Sequence, residues 1–170
     1  MARPHLSVTG SMEAPIEHRT IVPIAPSAAF TRFTADIQSW WPPEYTWSQD
    51  VLDSFGIELH AGGFCYEIGP HGFRCDWGRV LEWDPPHRLT FTWQISPRRE
   101  PVPDPSRASR VDVRFEDAGN RRTTVILTHS DFARHGEGAS DYRDAMASPQ
   151  GWPFIIQRFS DTAAEPETNR

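Results

Sequence analysis

The stretch from Trp77 to Trp93 constrains the fold most. It reads as strand, Pro85-Pro86 corner, strand. Alternation puts Trp77, Arg79 and Leu81 on one face, and Leu89, Phe91 and Trp93 on that same face of the return strand. Thr90, Thr92 and Gln94 fall on the other. Period-two alternation means one buried face and one wet face. Neither proline can donate a ladder hydrogen bond, so the chain turns there. A hairpin carrying such large aromatics inward needs a body to pack against or a cavity to line.

The flanking sequence supplies that body. Ile16 to Ile24 reads as a first strand. Pro26 to Ala35 reads as a helix, with proline tolerated in its first turn. A short turn holding Trp40 and Trp41 follows. Phe55, Ile57 and Leu59 alternate, then Phe64, Tyr66 and Ile68 up to the Gly69–Gly72 turn. Glu58 and Glu67 take the outward parity and read as solvated. Beyond the polar Pro97–Ala108 loop, Val111, Val113 and Phe115 alternate, and Val125, Leu127 and His129 repeat the pattern. Ala139 to Phe159 reads as helix interrupted near Ser148-Pro149 and Pro153. Trp152, Ile155, Ile156 and Phe159 share one helical face. The expected fold is α+β: one curved antiparallel sheet of about seven strands wrapped on a long C-terminal helix, its one apolar face covered by that helix.

One domain is expected over residues 15–160, with polar tails at 1–14 and 161–170, and Met12 offers an alternative start. The length suffices for a real core. Net charge is −6, which argues against nucleic-acid binding. All 17 basic residues are arginine, which excludes lysine Schiff-base chemistry. No segment approaches the ~18 apolar residues of a membrane span. Met1 to Gly10 has no apolar core of signal-peptide length, so the expected compartment is the cytoplasm.

The aromatic set Trp40, Trp41, Phe64, Tyr66, Trp77, Phe91, Trp93, Phe132 and Trp152 would line an apolar cavity or fill an ordinary core. His129 lies on the apolar parity of its strand. There it would act as a general acid or base, or be a buried histidine bonded to backbone. Arg79 shares the parity of Trp77. It would meet a ligand anion, reach water at the edge, or be turned by a bulge. The seven histidines form no metal-binding spacing, and no cofactor is expected. Cys65 and Cys75 would be opposed if the hairpin centred on Pro70, yet two free thiols are expected. The loops at 69–72, 97–108 and 131–138 share one end of a meander. This makes that end the expected cavity mouth, with His71, Arg98, Arg99 and His135 near its rim.

A set of ordered pieces resembles a known family. Phe33-Thr34 precedes Trp40-Trp41-Pro42; Glu58 precedes Gly62-Gly63-Phe64 and Trp77-Gly78-Arg79-Val80. Asp84-Pro85-Pro86, Arg88-Leu89, Thr92-Trp93, Thr123-Thr124-Val125, Leu127-Thr128-His129 and Gly151-Trp152 follow. Together they resemble the START/SRPBCC helix-grip superfamily, in its bacterial branch named after the activator of the heat-shock-protein-ninety ATPase. Pro153 departs from an uninterrupted last helix. The resemblance implies the helix-grip fold and a cavity. It leaves function open, because binding proteins, polyketide cyclases and co-chaperone domains share the scaffold.

Three readings follow. The first is a binding protein for a small apolar or aromatic molecule. Its pocket would be formed by Phe64, Tyr66, Trp77, Phe91, Trp93, Val113, Leu127 and His129, opposed by Trp152, Ile156 and Phe159. His129 would be its main polar group, and it would open between the 97–108 and 131–138 loops. The second is a cyclase-like or hydrolase-like enzyme using His129 and Tyr66. The third is a chaperone-accessory domain. Monomer and homodimer are both compatible with the sequence.

Overall fold

The computed structural model describes residues 14–165. The segment read as an N-terminal tail up to residue 13, Met12 included, and the segment 166–170 lie outside them. Seven strands form one antiparallel sheet in the order β1-β7-β6-β5-β4-β3-β2. They are β1 (Ile16–Val22), β2 (Ser54–Ile57), β3 (Phe64–Ile68), β4 (Arg74–Asp84), β5 (Arg88–Trp93), β6 (Ser109–Gly119) and β7 (Arg122–Ser130). Helix α1 (Pro26–Phe33) follows β1, and α2 (Ala139–Ala147) and α3 (Trp152–Ala164) follow β7. This is the expected sheet wrapped on C-terminal helix.

Local sequence explains the joints. Asn120 and Arg121, both at positive φ, close a tight turn whose twist suits the β6–β7 hairpin. Pro26 and Pro153 sit in the first turns of α1 and α3, where a missing N–H costs nothing. Ser148 to Gly151 breaks the C-terminal helix in two. A side chain at Gly151 would run into the Met146 carbonyl, so only glycine lets the chain double back there. Helix α3 extends beyond the expected 160 boundary, and Ala163 near its end is buried. Its face of Trp152, Ile155, Ile156 and Phe159 is buried as the spacing predicts. The Arg32 guanidinium ties α1 to α3 by donating to the Thr162 carbonyl at 2.8 Å.

Three strand expectations are corrected. In β3 the parity is inverted: Cys65 and Glu67 point inward and are buried, while Phe64 and Tyr66 lie outward. Arginines from β4 cover those rings, Arg79 over Phe64 and Arg74 over Tyr66, each at 4.5 Å from the ring centroid. Such a contact recovers apolar burial on the outer face and keeps the guanidinium wet.

In β4 the register slips twice, around Trp77 and around Leu81. Each bulge shifts the inward phase by one residue. Trp77 and Val80 are therefore buried, whereas Arg79 and Leu81 are exposed. The backbone at Gly78 passes so close to β5 that an added Cβ would stand 2.5 Å from the Thr92 carbonyl.

Thr90, Thr92 and Gln94 have the outward parity but are buried. The segment after β5 folds over that face: Gln94 Nε2 donates to the Val102 carbonyl at 2.9 Å, and Val102 N–H donates back to the Gln94 carbonyl at 2.9 Å. Cys65 is opposite Gly78 and Cys75 opposite Glu67, so the two cysteines are not cross-strand partners, and both thiols are free.

Candidate functional site

A cavity of about 460 Å³ lies between the sheet, the segment joining α1 to β2, and the link between α2 and α3. Its floor is aromatic. Trp41 stacks on Phe55 with centroids 5.1 Å apart, and Phe55 stacks on Trp77 at 5.3 Å and 15°. Trp93 meets Trp77 edge-on at 5.7 Å. All four rings are buried and all four line the cavity. Offset stacks and T-shaped contacts are the favoured geometries for such rings.

The roof is the segment from Pro43 to Val51, built from short 3-10 turns. It is tied down at three places. Glu67 rises from β3 and accepts from two roof amides, Trp47 N–H at 3.1 Å and Ser48 N–H at 2.7 Å. The Trp47 indole donates to the Arg99 carbonyl at 2.8 Å, so the 97–108 loop does reach the rim. The Tyr45 hydroxyl donates to the Gln150 carbonyl at 2.8 Å, joining roof to helix link. A second recess of about 280 Å³ shares Trp41, Thr46, Gln49 and Phe55 with the first.

The indole nitrogens are unevenly served. Trp40 Nε1 donates to the Arg32 carbonyl at 3.0 Å, and Trp93 Nε1 to the Tyr142 hydroxyl at 2.7 Å. Tyr142 in turn donates to the Ile95 carbonyl at 2.8 Å, and burial pushes its phenol up to about 12. Among the described residues, Trp77 Nε1 is the only fully buried side-chain nitrogen or oxygen without a partner.

His129 does not reach this cavity. It is fully buried. Its Nδ1 accepts from Trp152 Nε1 at 2.9 Å. An indole N–H only donates, so the His129 proton sits on Nε2. That nitrogen donates to Ser109 Oγ at 2.7 Å, and the Ser109 hydroxyl donates to His135 Nε2 at 2.7 Å. Burial, then neighbouring His135, holds His129 neutral, far below its ordinary 6.5. Burial also lowers His135, to about 4. His135, expected at a rim, is thus the buried end of a Trp152–His129–Ser109–His135 chain.

The candidate residues separate into three groups. Trp41, Trp77 and Trp93 line the cavity. Trp40, Phe91, Val113, Leu127, His129, Phe132, Trp152, Ile156 and Phe159 are packed into the core around it and line neither hollow. Phe64, Tyr66 and Arg79 are on the far side of the sheet. The rim lies along Glu44 to Trp47, Arg99 and Gln150 rather than beside the 131–138 loop. Phe55, Glu67 and the roof polar groups escaped sequence reasoning. Phe55 had a usable signal in its strand alternation; Glu67 had none, because its depth follows from the inverted parity.

The architecture and the floored cavity define a helix-grip protein of the SRPBCC type. The profile of the family described as "Activator of Hsp90 ATPase homolog 1-like protein" matches residues 28–164, and this chain belongs to that family. Among solved structures, the anthrahydroquino-γ-pyrone synthase Txn09, complexed with SUM, is 34% identical, with 88% of this chain and 97% of that one covered and a TM-score of 0.62. The self-sacrificing resistance protein CalC from Micromonospora echinospora shares the fold at 24% identity, covering 89% of this chain and 95% of that one, TM-score 0.61. Protein NE0264 from Nitrosomonas europaea does so at 15% identity, covering 89% and 94%, TM-score 0.58. No curated protein matches the chain. Among the described residues no helix is long and apolar enough to cross a membrane.

Proposed function

We propose that this protein binds a flat, largely aromatic small molecule in the tryptophan-floored cavity. The observation that carries the reading is a space of about 460 Å³ floored by Trp41, Phe55, Trp77 and Trp93. Ligand sites of this kind usually span ~300–1,000 Å³, mostly apolar with a few placed polar groups. Aromatic faces and edges favour a flat guest over a flexible chain, because stacking adds to simple area burial.

Thermal melts with fused-ring compounds and with fatty acids of equal volume test this. A guest at a hundred times its Kd stabilises by about 2.7 kcal/mol, or roughly 5–10 °C in a domain this size. The fused-ring compounds should raise the melting point and quench tryptophan fluorescence. A flat response to every fused-ring compound sinks the reading.

A second reading is cyclase-like catalysis on such a guest, favoured by the 34% identity to a synthase. The polar group to carry it is Glu67 on the cavity wall, not His129. Incubation with an anthrahydroquinone substrate, comparing the wild type with Glu67→Gln, tests it. Turnover by the wild type that the variant loses supports catalysis; no wild-type turnover leaves binding alone.

A further inference from the structure

The charged groups of the cavity narrow the guest further, and this step rests on the binding reading above. Among the described residues, three charged side chains line the cavity: Glu44, Glu67 and Arg99. Two of them are engaged. Glu67 accepts from the Trp47 and Ser48 amides, and Glu44 stands 4.0 Å from the Arg158 guanidinium. Arg99 is exposed, and among the described residues its guanidinium has no ion-pair or hydrogen-bond partner. A guanidinium carries five N–H donors in a fixed fork, so all of them are open to a guest.

The local fold holds that guanidinium at the mouth. Arg99 stands at a positive φ of 65° in a turn closed by Ser96. Its N–H donates to the Ser96 carbonyl at 2.8 Å, and Ser96 Oγ accepts from the amides of Arg98 and Glu100. A non-glycine residue kept in the left-handed region is a mark of sites where side-chain direction matters. The Arg99 carbonyl accepts from the Trp47 indole, which pins the turn against the roof. Arg99 Cζ lies over the Tyr142 ring, 5.7 Å from its centroid. The Tyr142 hydroxyl bridges Trp93 Nε1 and the Ile95 carbonyl, and Trp93 and Ile95 both line the cavity. A guanidinium over a ring keeps its edge donors free for a planar oxyanion. We infer that the guest is a flat aromatic acid: its rings lie on the tryptophan floor and its carboxylate meets the Arg99 fork at the rim. An ammonium there would face Arg99 with like charge, and a hydrocarbon would leave the fork to water.

Three anthracenes of nearly equal size test this by calorimetry at neutral pH: anthracene-2-carboxylate, anthracene-2-carboxamide and 2-(aminomethyl)anthracene. They present an anion, a neutral group and a cation on the same rings. The carboxylate should bind tightest, the amide roughly three- to tenfold weaker and the ammonium weaker still, as for one partly exposed charge-assisted pair. Salt at about 1 M should close most of that gap. Arg99→Gln changes only an exposed side chain, because the bonds to Ser96 and Trp47 are made by its main chain. It should bring the carboxylate down to the affinity of the amide and leave the amide within about twofold. Arg99→Lys should restore part of the preference, by charge without the fork. Arg98→Gln, next to it but outside the cavity lining, should leave the ranking unchanged. Equal binding of carboxylate and amide, tightest binding of the ammonium, or equal loss in Arg98→Gln and Arg99→Gln overturns the acid assignment while the aromatic-binding reading stands. Binding of none overturns both.

Discussion

Trp152 donates its indole N–H to His129 Nδ1 at 2.9 Å, and this bond decides what His129 can do. A histidine with one nitrogen occupied by an indole and the other by Ser109 has no free lone pair for a substrate. Its position is buried core, with the Phe132 ring centroid 4.1 Å away. His129→Ala should therefore act on stability. It strands two buried polar groups, at about 1–3 kcal/mol each, and opens a void. The expected loss is about 3 kcal/mol or more in urea unfolding. Ligand affinity in the cavity, measured well below the melting point, should stay within about twofold. A stable His129→Ala protein that no longer binds would contradict this assignment.

The same chain should make the fold acid-sensitive. Both histidines are held neutral in the native state, His135 down to about 4 and His129 well below 6.5. In the unfolded chain each titrates near 6.5. On acidification the unfolded state binds protons that the native state refuses, so stability falls as pH drops from about 6.5 towards 4. Each refused proton steepens the slope by about 1.4 kcal/mol per pH unit. Urea midpoints across this window should fall steadily, and less steeply in His135→Phe. Glu58 and Asp104 act lower down: hydrogen bonds from Phe64 N–H and from Ser106 hold their carboxyls below the ordinary range. A flat midpoint between neutrality and pH ~5 would show that the histidines are not buried neutral.

Trp93→Ala should cost about 3–5 kcal/mol, the usual range for deleting a buried large aromatic. Trp93 is 2% exposed and spans core and cavity wall. Trp93→Phe should cost much less, chiefly the bond to Tyr142 at 2.7 Å, about 1 kcal/mol. Tyr142 still reaches the Ile95 carbonyl in that variant. Denaturant unfolding of both variants checks the difference. Equal losses would mean the hydrogen bond, not the ring, holds the site.

The thiols should be separable by reactivity. Burial raises Cys65 far above the ordinary thiol range and half-buried Cys75 to about 11. Little thiolate is present near neutral pH, and the thiolate is the reactive species. A native-state titration with an aromatic disulfide should report slow reaction at Cys75 and none at Cys65. In denaturant, without reductant, two thiols should appear at once. A count of zero there would mean the cysteines are bridged.

How far the chain was legible can be followed residue by residue. Alternation in Leu89–Phe91–Trp93 and Val111–Val113–Phe115 reports the inner face faithfully, because β6 pairs without interruption with β5 from Ser109 to Arg114 and with β7 through Phe115. The seam Trp152, Ile155, Ile156 and Phe159 is equally plain in the helical spacing. The same rule misleads at Phe64 and Tyr66. Period two assigns faces only up to a common phase, and hydrophobicity chose the wrong phase where two arginines cap aromatic rings outside. In β4 the bulges at Trp77 and Leu81 reset the phase, and nothing in Trp77-Gly78-Arg79-Val80 announces them except Gly78. The cavity was misplaced for a related reason. Its roof is irregular backbone, tied by bonds to Glu67, Arg99 and Gln150 that link residues far apart in sequence.

That roof has a thermodynamic consequence of its own. Between Pro43 and Val51 the amides of Trp47 and Ser48 depend on one side chain, Glu67, rather than on a helix or ladder. Segments held this way open locally without the rest of the domain unfolding. Two populations of amides should therefore exchange with deuterium by different routes: the sheet only through global unfolding, the roof through a private opening gated by one carboxylate. Access to the interior and durability of the fold therefore rest on different bonds, the entrance on two amides held by Glu67 and the sheet on its ladders.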